Sequence, residues 1–308
     1  MLRLFRRRFA FLFLVLVGMA FAGRSLRAGD APAPLYALCG AYAPEMAALK
    51  AEFNVSADTG WERTVFKGIE FWRGTVSGKA VLLFRTGMSP VNAAYQLQIA
   101  IDHFGITHVL FAGVAGGIDP TLDVGDIVIP ERWAYHDEAA YLNEDPDHPG
   151  TYLVPDYLKP KIENFGMIFP DSVAVVKDGQ EEFTDMPFFP ADPALLAVAR
   201  QVLPTLPPMQ KGGHDVSLSV GGTGVAGTVF LDNAKYREWV FKIWQARCLD
   251  MESTALAHVA YVNEKPILII RGLSDLAGGQ PGKNPIDHNE LRVSEIAAKV
   301  LHGIVDAL

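Results

Sequence analysis

The chain has 308 residues, of which 50% are hydrophobic and 20% charged, with a formal net charge of −8 at neutral pH. This is ordinary globular composition, enough for one large core or two small ones. The acidic balance excludes the usual nucleic-acid binder, whose phosphate partner demands an excess of Lys and Arg, and no run of like charges outside the N-terminus reads as a polyelectrolyte tail.

In chain order, the first segment has the pattern of an export signal. Arg3, Arg6, Arg7 and Arg8 form a basic cluster, followed by an uninterrupted run of apolar or small residues from 9 to 22. At about 1.5 Å per helical residue that run reaches about 21 Å, short of a hydrocarbon core about 30 Å thick. Ala20-Phe21-Ala22 supplies the small-x-small pattern a signal peptidase needs, so residues 1–22 are expected to be a cleavable signal. Cleavage as late as Ala28 is the other placement, and an uncleaved anchor is the competing reading. Arg6-Arg7-Arg8-Phe9 also loosely resembles a twin-arginine signal. The expectation is a periplasmic or extracellular protein with no stable membrane anchor and a single domain over 30–308.

The mature chain opens with an apolar strand at 35–41 and a helix starting at Pro44. Apolar strands recur at 79–86 and 107–114, with a helix over 90–104 between them that has Ser89 at the N-cap and Pro90 at the first helical position. Further strands are expected at 124–130, 216–220, near 248–251 and at 266–271. Helices are expected at 232–244, 252–262 and 289–308. Aliphatic, β-branched strands alternating with helices predict an α/β fold, a three-layer α/β/α sandwich around a mixed, largely parallel sheet. The stretch 138–192, rich in Pro, acids and aromatics, has no clean periodicity and reads as a long excursion from the core, a lid or interface element. Cys39 and Cys248 are too few for a disulfide framework and read as buried free thiols.

Ligands in such folds sit at the carboxyl ends of strands, and three acids lie there. Glu45 comes after the first strand, Glu252 after the strand near 248–251, and Asp275 after the strand at 266–271. Singly, each has a plain alternative, since acids favour the first turn of a helix. Together they suit hydrolysis of an acetal-like bond, which needs one group to protonate the leaving group, another to activate water, and carboxylate charge near a cationic sugar. His136-Asp137 and His214-Asp215 lack ligand spacing, so no metal site is expected and both histidines read as surface or loop residues. His258, on an apolar helix, reads as a core residue.

Four blocks carry a resemblance. Thr86-Gly-Met-Ser-Pro-Val-Asn-Ala-Ala94 resembles the Thr-Gly-x-Gly-Lys-Val-Asn-Ala-Ala turn of the nucleoside phosphorylase superfamily. Val109-Leu-Phe-Ala-Gly-Val-Ala-Gly-Gly117 with Val124-Gly-Asp-Ile-Val-Ile129, Asp250-Met-Glu-Ser-Thr-Ala255 and Arg271-Gly-Leu-Ser-Asp275 are similar to three further blocks of that family, in the same order. The resemblance spans about 35 to 308 and is nearest to the 5′-methylthioadenosine/S-adenosylhomocysteine nucleosidases. The segments 227–237 and 273–279 look more like a secreted subgroup that includes plant vegetative and bark storage proteins.

The resemblance implies a nucleoside phosphorylase-like fold, no cofactor, a homodimer, and a role for each site residue. Asp275, supported by Ser274, protonates the purine; Glu252 binds the ribose hydroxyls with Met251 packed on the sugar; Glu45 activates water. Phe230 stacks on the base, the backbone of Leu231 reads its edge, and Arg271 orders the water site beside Val114 and Ala115. Phosphorolysis would require an Arg and a Ser where this chain has Phe111 and Val114, and Glu45 would repel phosphate, so hydrolysis of a purine nucleoside is expected. The alternatives are a non-catalytic nucleoside-binding or storage protein and, after it, a phosphorylase. Two departures stand out: Val114 replaces a serine usual in the hydrolases, and Ser89-Pro90 replaces Gly-Lys.

Overall fold

A strand that is apolar on both faces needs cover on both faces, and the central strands of this chain meet that demand with alternating residues. The computed structural model describes residues 33–308; the export signal and its cleavage site lie outside the described residues. Pro34–Leu308 form one unit. Its first half comprises β1 (Leu35–Gly40), α1 (Ala43–Glu52), β2 (Glu62–Phe66), β3 (Ile69–Val76), β4 (Lys79–Arg85), α2 (Pro90–Ile99), β5 (His108–Gly117), β6 (Ile127–Ile129) and β7 (Arg132–Tyr135). The excursion adds β8 (Ala139–Tyr141), β9 (Ile168–Pro170), β10 (Val173–Val175), β11 (Thr184–Met186) and β12 (Phe189–Pro190). Then follow α3 (Pro193–Val202), β13 (Gln210–Lys211), β14 (His214–Asp215), β15 (Leu218–Val220), β16 (Thr223–Ala226), α4 (Ala234–Trp244), β17 (Ala246–Asp250), α5 (Ser253–Val262), β18 (Ile267–Asp275) and α6 (Ile286–Ala307).

The main sheet runs β12-β7-β16-β17-β5-β1-β4-β3-β2, with β18 paired to β5 and β6, and β15 to β6. It is mixed and parallel at its centre. β5 pairs in parallel with β1 at its start and with β18 along its length, while its last residues, Gly116 and Gly117, pair antiparallel with Leu249 and Cys248 of β17. The sheet therefore branches at β5, and the ends of β1, β17 and β18 converge on its second half.

Alternation assigns each central residue to one of two cores. Ala37, Cys39, Val109, Phe111, Ile267 and Ile269 pack on one face with α2 and α5, through Leu97, Leu256 and Ala257. Leu38, Leu110, Leu268 and Ile270 pack on the other with α1, α3 and α6. In α6, Ile296, Ala297, Val300, Leu301 and Ile304 recur at helical spacing and are buried as one stripe. This is the expected three-layer sandwich. Cys39 and Cys248 are free and buried, and burial pushes both thiols well above their ordinary pKa.

Several boundaries differ from the sequence reading. The segment 53–78, left unassigned there, carries β2 and β3, which form a meander with β4. Each of its hairpins turns on two residues at positive φ, Lys67-Gly68 and Ser77-Gly78, the backbone that matches the twist of paired strands. Ser89 occupies the N-cap of α2 at φ +79, and its hydroxyl caps nothing. β18 runs on to Asp275 rather than ending at Arg271. The excursion is not structureless: β8 pairs β9, β10 pairs β11, and β12 joins the main sheet on β7.

Gly224 of β16 lies beside Trp133 of β7, a fully buried indole. A Cβ at Gly224 would overlap the Trp133 ring. Gly224→Ala is expected to cost about 1–3 kcal/mol through overpacking, read as a lower midpoint in chemical denaturation; an unchanged midpoint would mean the indole has room to turn.

Candidate active site

Three chain reversals after β1, β17 and β18 put their acids on one cavity of about 230 Å³. Glu45 sits in the first turn of α1, next to Pro44, where the free N–H end of the helix favours an acid. It is 2% exposed. Its Oε1 accepts from the Val114 amide at 2.8 Å and from Arg271 Nη1 at 3.3 Å, and its Oε2 accepts from the Ala41 amide. Gly113 has to be glycine here, because a Cβ would fall on the Glu45 carboxylate and the Arg271 guanidinium.

Glu252 stands between β17 and α5. Its Oε1 accepts from the Ser89 amide at 2.8 Å and its Oε2 meets Arg271 Nη2 at 3.3 Å. The positive φ of Ser89 turns that amide toward Glu252. Non-glycine residues hold such a conformation only when surrounding contacts impose it, at a strain of about 1–3 kcal/mol. A glycine would hold this backbone without strain; Ser89 carries it and still gives its amide to Glu252.

Arg271, on β18, is fully buried over the Phe111 ring, with its guanidinium carbon 4.1 Å from the ring centroid. Its Nε donates to Asp250 Oδ2 at 2.7 Å, so one cation faces three carboxyls. Burial disfavours its charge, but Asp250, Glu45 and Glu252 together more than offset that and raise its pKa. Burial is also the main cause that raises Glu45, opposed by Arg271 and two amides. Glu252 is pushed up to about 7 by burial and then by the Asp250 charge, with Arg271 opposing.

The register of β18 on β5 shifts between Leu273 and Asp275. Such a bulge re-aims the residue after it, and here that residue is Asp275, 2% exposed. Its Oδ1 accepts from the Ala277 amide at 2.8 Å and Asn284 Nδ2 at 3.1 Å; its Oδ2 accepts from the Ser274 hydroxyl at 2.9 Å. Oδ1 is filled by two donors, which leaves Oδ2 as the oxygen for proton exchange.

Of the residues singled out in the sequence, Glu45, Val114, Ala115, Phe230, Leu231, Met251, Glu252, Ser274 and Asp275 all line this cavity; Arg271 lies behind its wall. Phe230 is 56% exposed and stands at the mouth, on a segment pinned where Asp137 Oδ2 accepts from the Thr228 amide and hydroxyl. Met88, Tyr42 and Ile286 complete the walls. Sequence reasoning missed Asp250 and Asn284. Asp250 lay inside a quoted block, next to Met251-Glu252, whereas nothing in the pattern signalled Asn284. His136 is not a surface residue: it is fully buried at the end of β7, its Nδ1 3.1 Å from the Tyr236 hydroxyl. His214 is exposed, and no metal-ligating cluster occurs among the described residues.

Comparison with known proteins agrees with this architecture. A family model described as the phosphorylase superfamily matches residues 36–308. The 5′-methylthioadenosine/S-adenosylhomocysteine nucleosidase of Geobacillus kaustophilus is 30% identical over 251 residues, covering 80% of this chain and 86% of that protein. Its counterpart from Mycobacterium bovis is 29% identical over 238 residues, covering 75% and 81%. Among solved structures, futalosine hydrolase of Helicobacter pylori superposes with a TM-score of 0.67 at 21% identity, over 89% of this chain and 98% of that one, which establishes the shared fold. Matched from its first strand to its C-terminus, this chain belongs to the phosphorylase superfamily.

Proposed function

We propose that this protein hydrolyses the N-glycosidic bond of a purine nucleoside of the 5′-methylthioadenosine/S-adenosylhomocysteine class, releasing free base and free sugar. The observation that carries the reading is the charge of the cavity: three buried acids line it together with Asp250, and among the described residues no Lys or Arg does. Arg271 is spent on three carboxyls. A phosphate dianion would need cationic and hydrogen-bonding donors at the attack site; water needs a base, and Glu45 is one.

Asp275 Oδ2 delivers a proton to the imidazole ring of the purine, so the base leaves with the glycosidic electron pair as a neutral molecule. Glu252 accepts from the ribose hydroxyls, and its charge favours the cationic sugar as that bond breaks. Glu45 takes a proton from water while the water oxygen bonds the anomeric carbon. Phe230 covers the base and Met251 the sugar. The chain acts as an exported homodimer in this reading. Export is supported by the arginine cluster and apolar run at residues 3–22. A second copy is supported by Tyr141, Leu153, Tyr157 and Met167, large apolar side chains exposed on the excursion.

The test is incubation of the purified protein with adenosine, inosine, 5′-methylthioadenosine and S-adenosylhomocysteine, with and without phosphate. Free base and free sugar at a phosphate-independent rate are expected; sugar 1-phosphate would overturn the mechanism, and no turnover would overturn the reading. Asp275→Asn is expected to lower kcat by roughly two to four orders of magnitude while leaving nucleoside binding measurable by calorimetry.

Glu252 also makes stability pH-dependent. It faces Asp250 and Arg271 from β17 and β18, Glu45 from α1 and the Ser89 amide before α2. Its folded pKa of about 7 lies above the unfolded value, so the fold holds that proton more tightly than the unfolded chain does. That contribution is fully present below the unfolded glutamate pKa and is lost as pH rises through about 7. The melting temperature is expected to fall between about pH 5 and about pH 8, and Glu252→Gln is expected to flatten that slope; equal slopes for both proteins would refute the assignment.

A further inference from the structure

One buried acid of the cavity has no task in this hydrolysis. Asp250, 6% exposed, closes β17. Its Oδ1 accepts from the backbone amides of Glu252 at 2.9 Å and Ser253 at 2.8 Å, so it caps the start of α5. Its Oδ2 accepts from the Ser253 hydroxyl at 2.5 Å and from Arg271 Nε at 2.7 Å. With four donors on two oxygens, this carboxyl has little left to offer a substrate. Its bond to Arg271 is also the short one: Glu45 and Glu252 each meet the guanidinium only at 3.3 Å.

We propose that Asp250 is a positioning residue of the reaction, which holds Arg271 by Nε and so keeps Glu45 basic enough to take a proton from water. The proposal rests on the nucleosidase reading, because it concerns the base of that reaction. A carboxylate gripped closely by a guanidinium is a poor base, since the opposite charge stabilises the form that has already lost its proton. Glu45 is faced by Arg271 from β18, Asp250 from β17, Glu252 from the start of α5, the Cys39 thiol from β1, the Tyr42 hydroxyl before α1, and the amides of Ala41 and Val114. Of these, only Arg271 is a cation. How much of it Glu45 receives is therefore decided by what else Arg271 holds.

Asp250→Asn changes that division while keeping the shape. If the Asn oxygen keeps the two α5 amides, its NH2 is left pointing at Arg271 Nε, a donor against a donor. The guanidinium then turns toward the two glutamates. Both become weaker bases, and Glu45 loses its proton at lower pH. The sign follows: Glu45 and Glu252 both act in their ionised forms, so the rate rises with pH through their pKa values, and in the variant that acid limb moves to lower pH with a lower plateau.

The experiment is the pH profile of kcat and of kcat/KM for wild type, Asp250→Asn, Asp250→Ser and Asp250→Glu, with nucleoside as substrate and thermal melts as the check on folding. Asp250→Ser keeps a hydroxyl for the α5 amides but removes the charge, so it separates capping from electrostatics. The expected result is an acid limb about one pH unit lower in both neutral variants, a plateau roughly tenfold lower, and recovery of the wild-type limb in Asp250→Glu. A loss of kcat with the limb unmoved means that Asp250 only props up the fold, and overturns the proposal. The wild-type profile is an independent check, even where no variant folds: an acid limb at or below the ordinary glutamate value of about 4.3 overturns it too. A wild type inert toward every nucleoside, with or without phosphate, defeats the nucleosidase reading itself, whereas an active wild type with unmoved variants defeats this inference alone.

Discussion

The site depends on a single guanidinium that never meets solvent. Taking an ion out of water costs several kcal/mol even after relaxation, and a buried arginine, which keeps its charge, needs carboxylates around it to offset that cost. Arg271 has three of them, drawn from α1, β17 and the start of α5, and an aromatic face beneath it in Phe111. The dependence is mutual. Without Arg271, Glu45, Glu252 and Asp250 would be three buried carboxyls with no cation between them.

That constraint explains why the sheet branches where it does. A parallel strand with one neighbour on each side brings two strand ends to a ligand. β5 brings three, because β1 leaves it after Phe111 and β17 takes over its far edge at Gly116 and Gly117. The space opened between β1 and β17 is where Glu45 folds back onto the Val114 amide. Gly113 sits at that opening, without a side chain to fill it. The same strand that pairs with β18 along its length thus leaves room for an acid on its other edge.

The core was readable because its strands carry apolar residues on both faces, and the three candidate acids because each falls where one of those strands ends. What the pattern did not disclose are features set by backbone geometry. The hairpins at Lys67-Gly68 and Ser77-Gly78 had only a two-residue turn to announce them, flanked by strands with exposed polar faces. Asp275 counted as a residue after a strand, whereas it is the last residue of one, turned by a bulge. His136 follows β7 into the interior, where its ring meets the Tyr236 hydroxyl, and the lack of ligand spacing that made it read as a loop residue says nothing about burial. Ser89 had every sign of a side-chain cap, yet it contributes its amide to Glu252 from a strained backbone. Asn284 reaches Asp275 across a loop, and no spacing rule records such a contact.

The choice of nucleophile follows from the same arrangement. The two nucleophiles differ in what they demand of the attacking side: phosphate needs cationic donors left free there, and water needs a base. Here the guanidinium nearest the cavity is enclosed by carboxyls, and the amide of Val114 holds Glu45. An anion approaching the sugar from that side would meet Glu45 before any donor. A neutral water meets an acceptor, and the charge it releases as a proton stays within a few ångströms of a carboxylate made basic by burial. Glu252, on the same guanidinium, stands ready for the positive charge of the sugar. In the proposed mechanism, nucleophile activation and stabilisation of the cationic sugar are thus coupled through Arg271, which both glutamates meet, so a change at either is felt by the other.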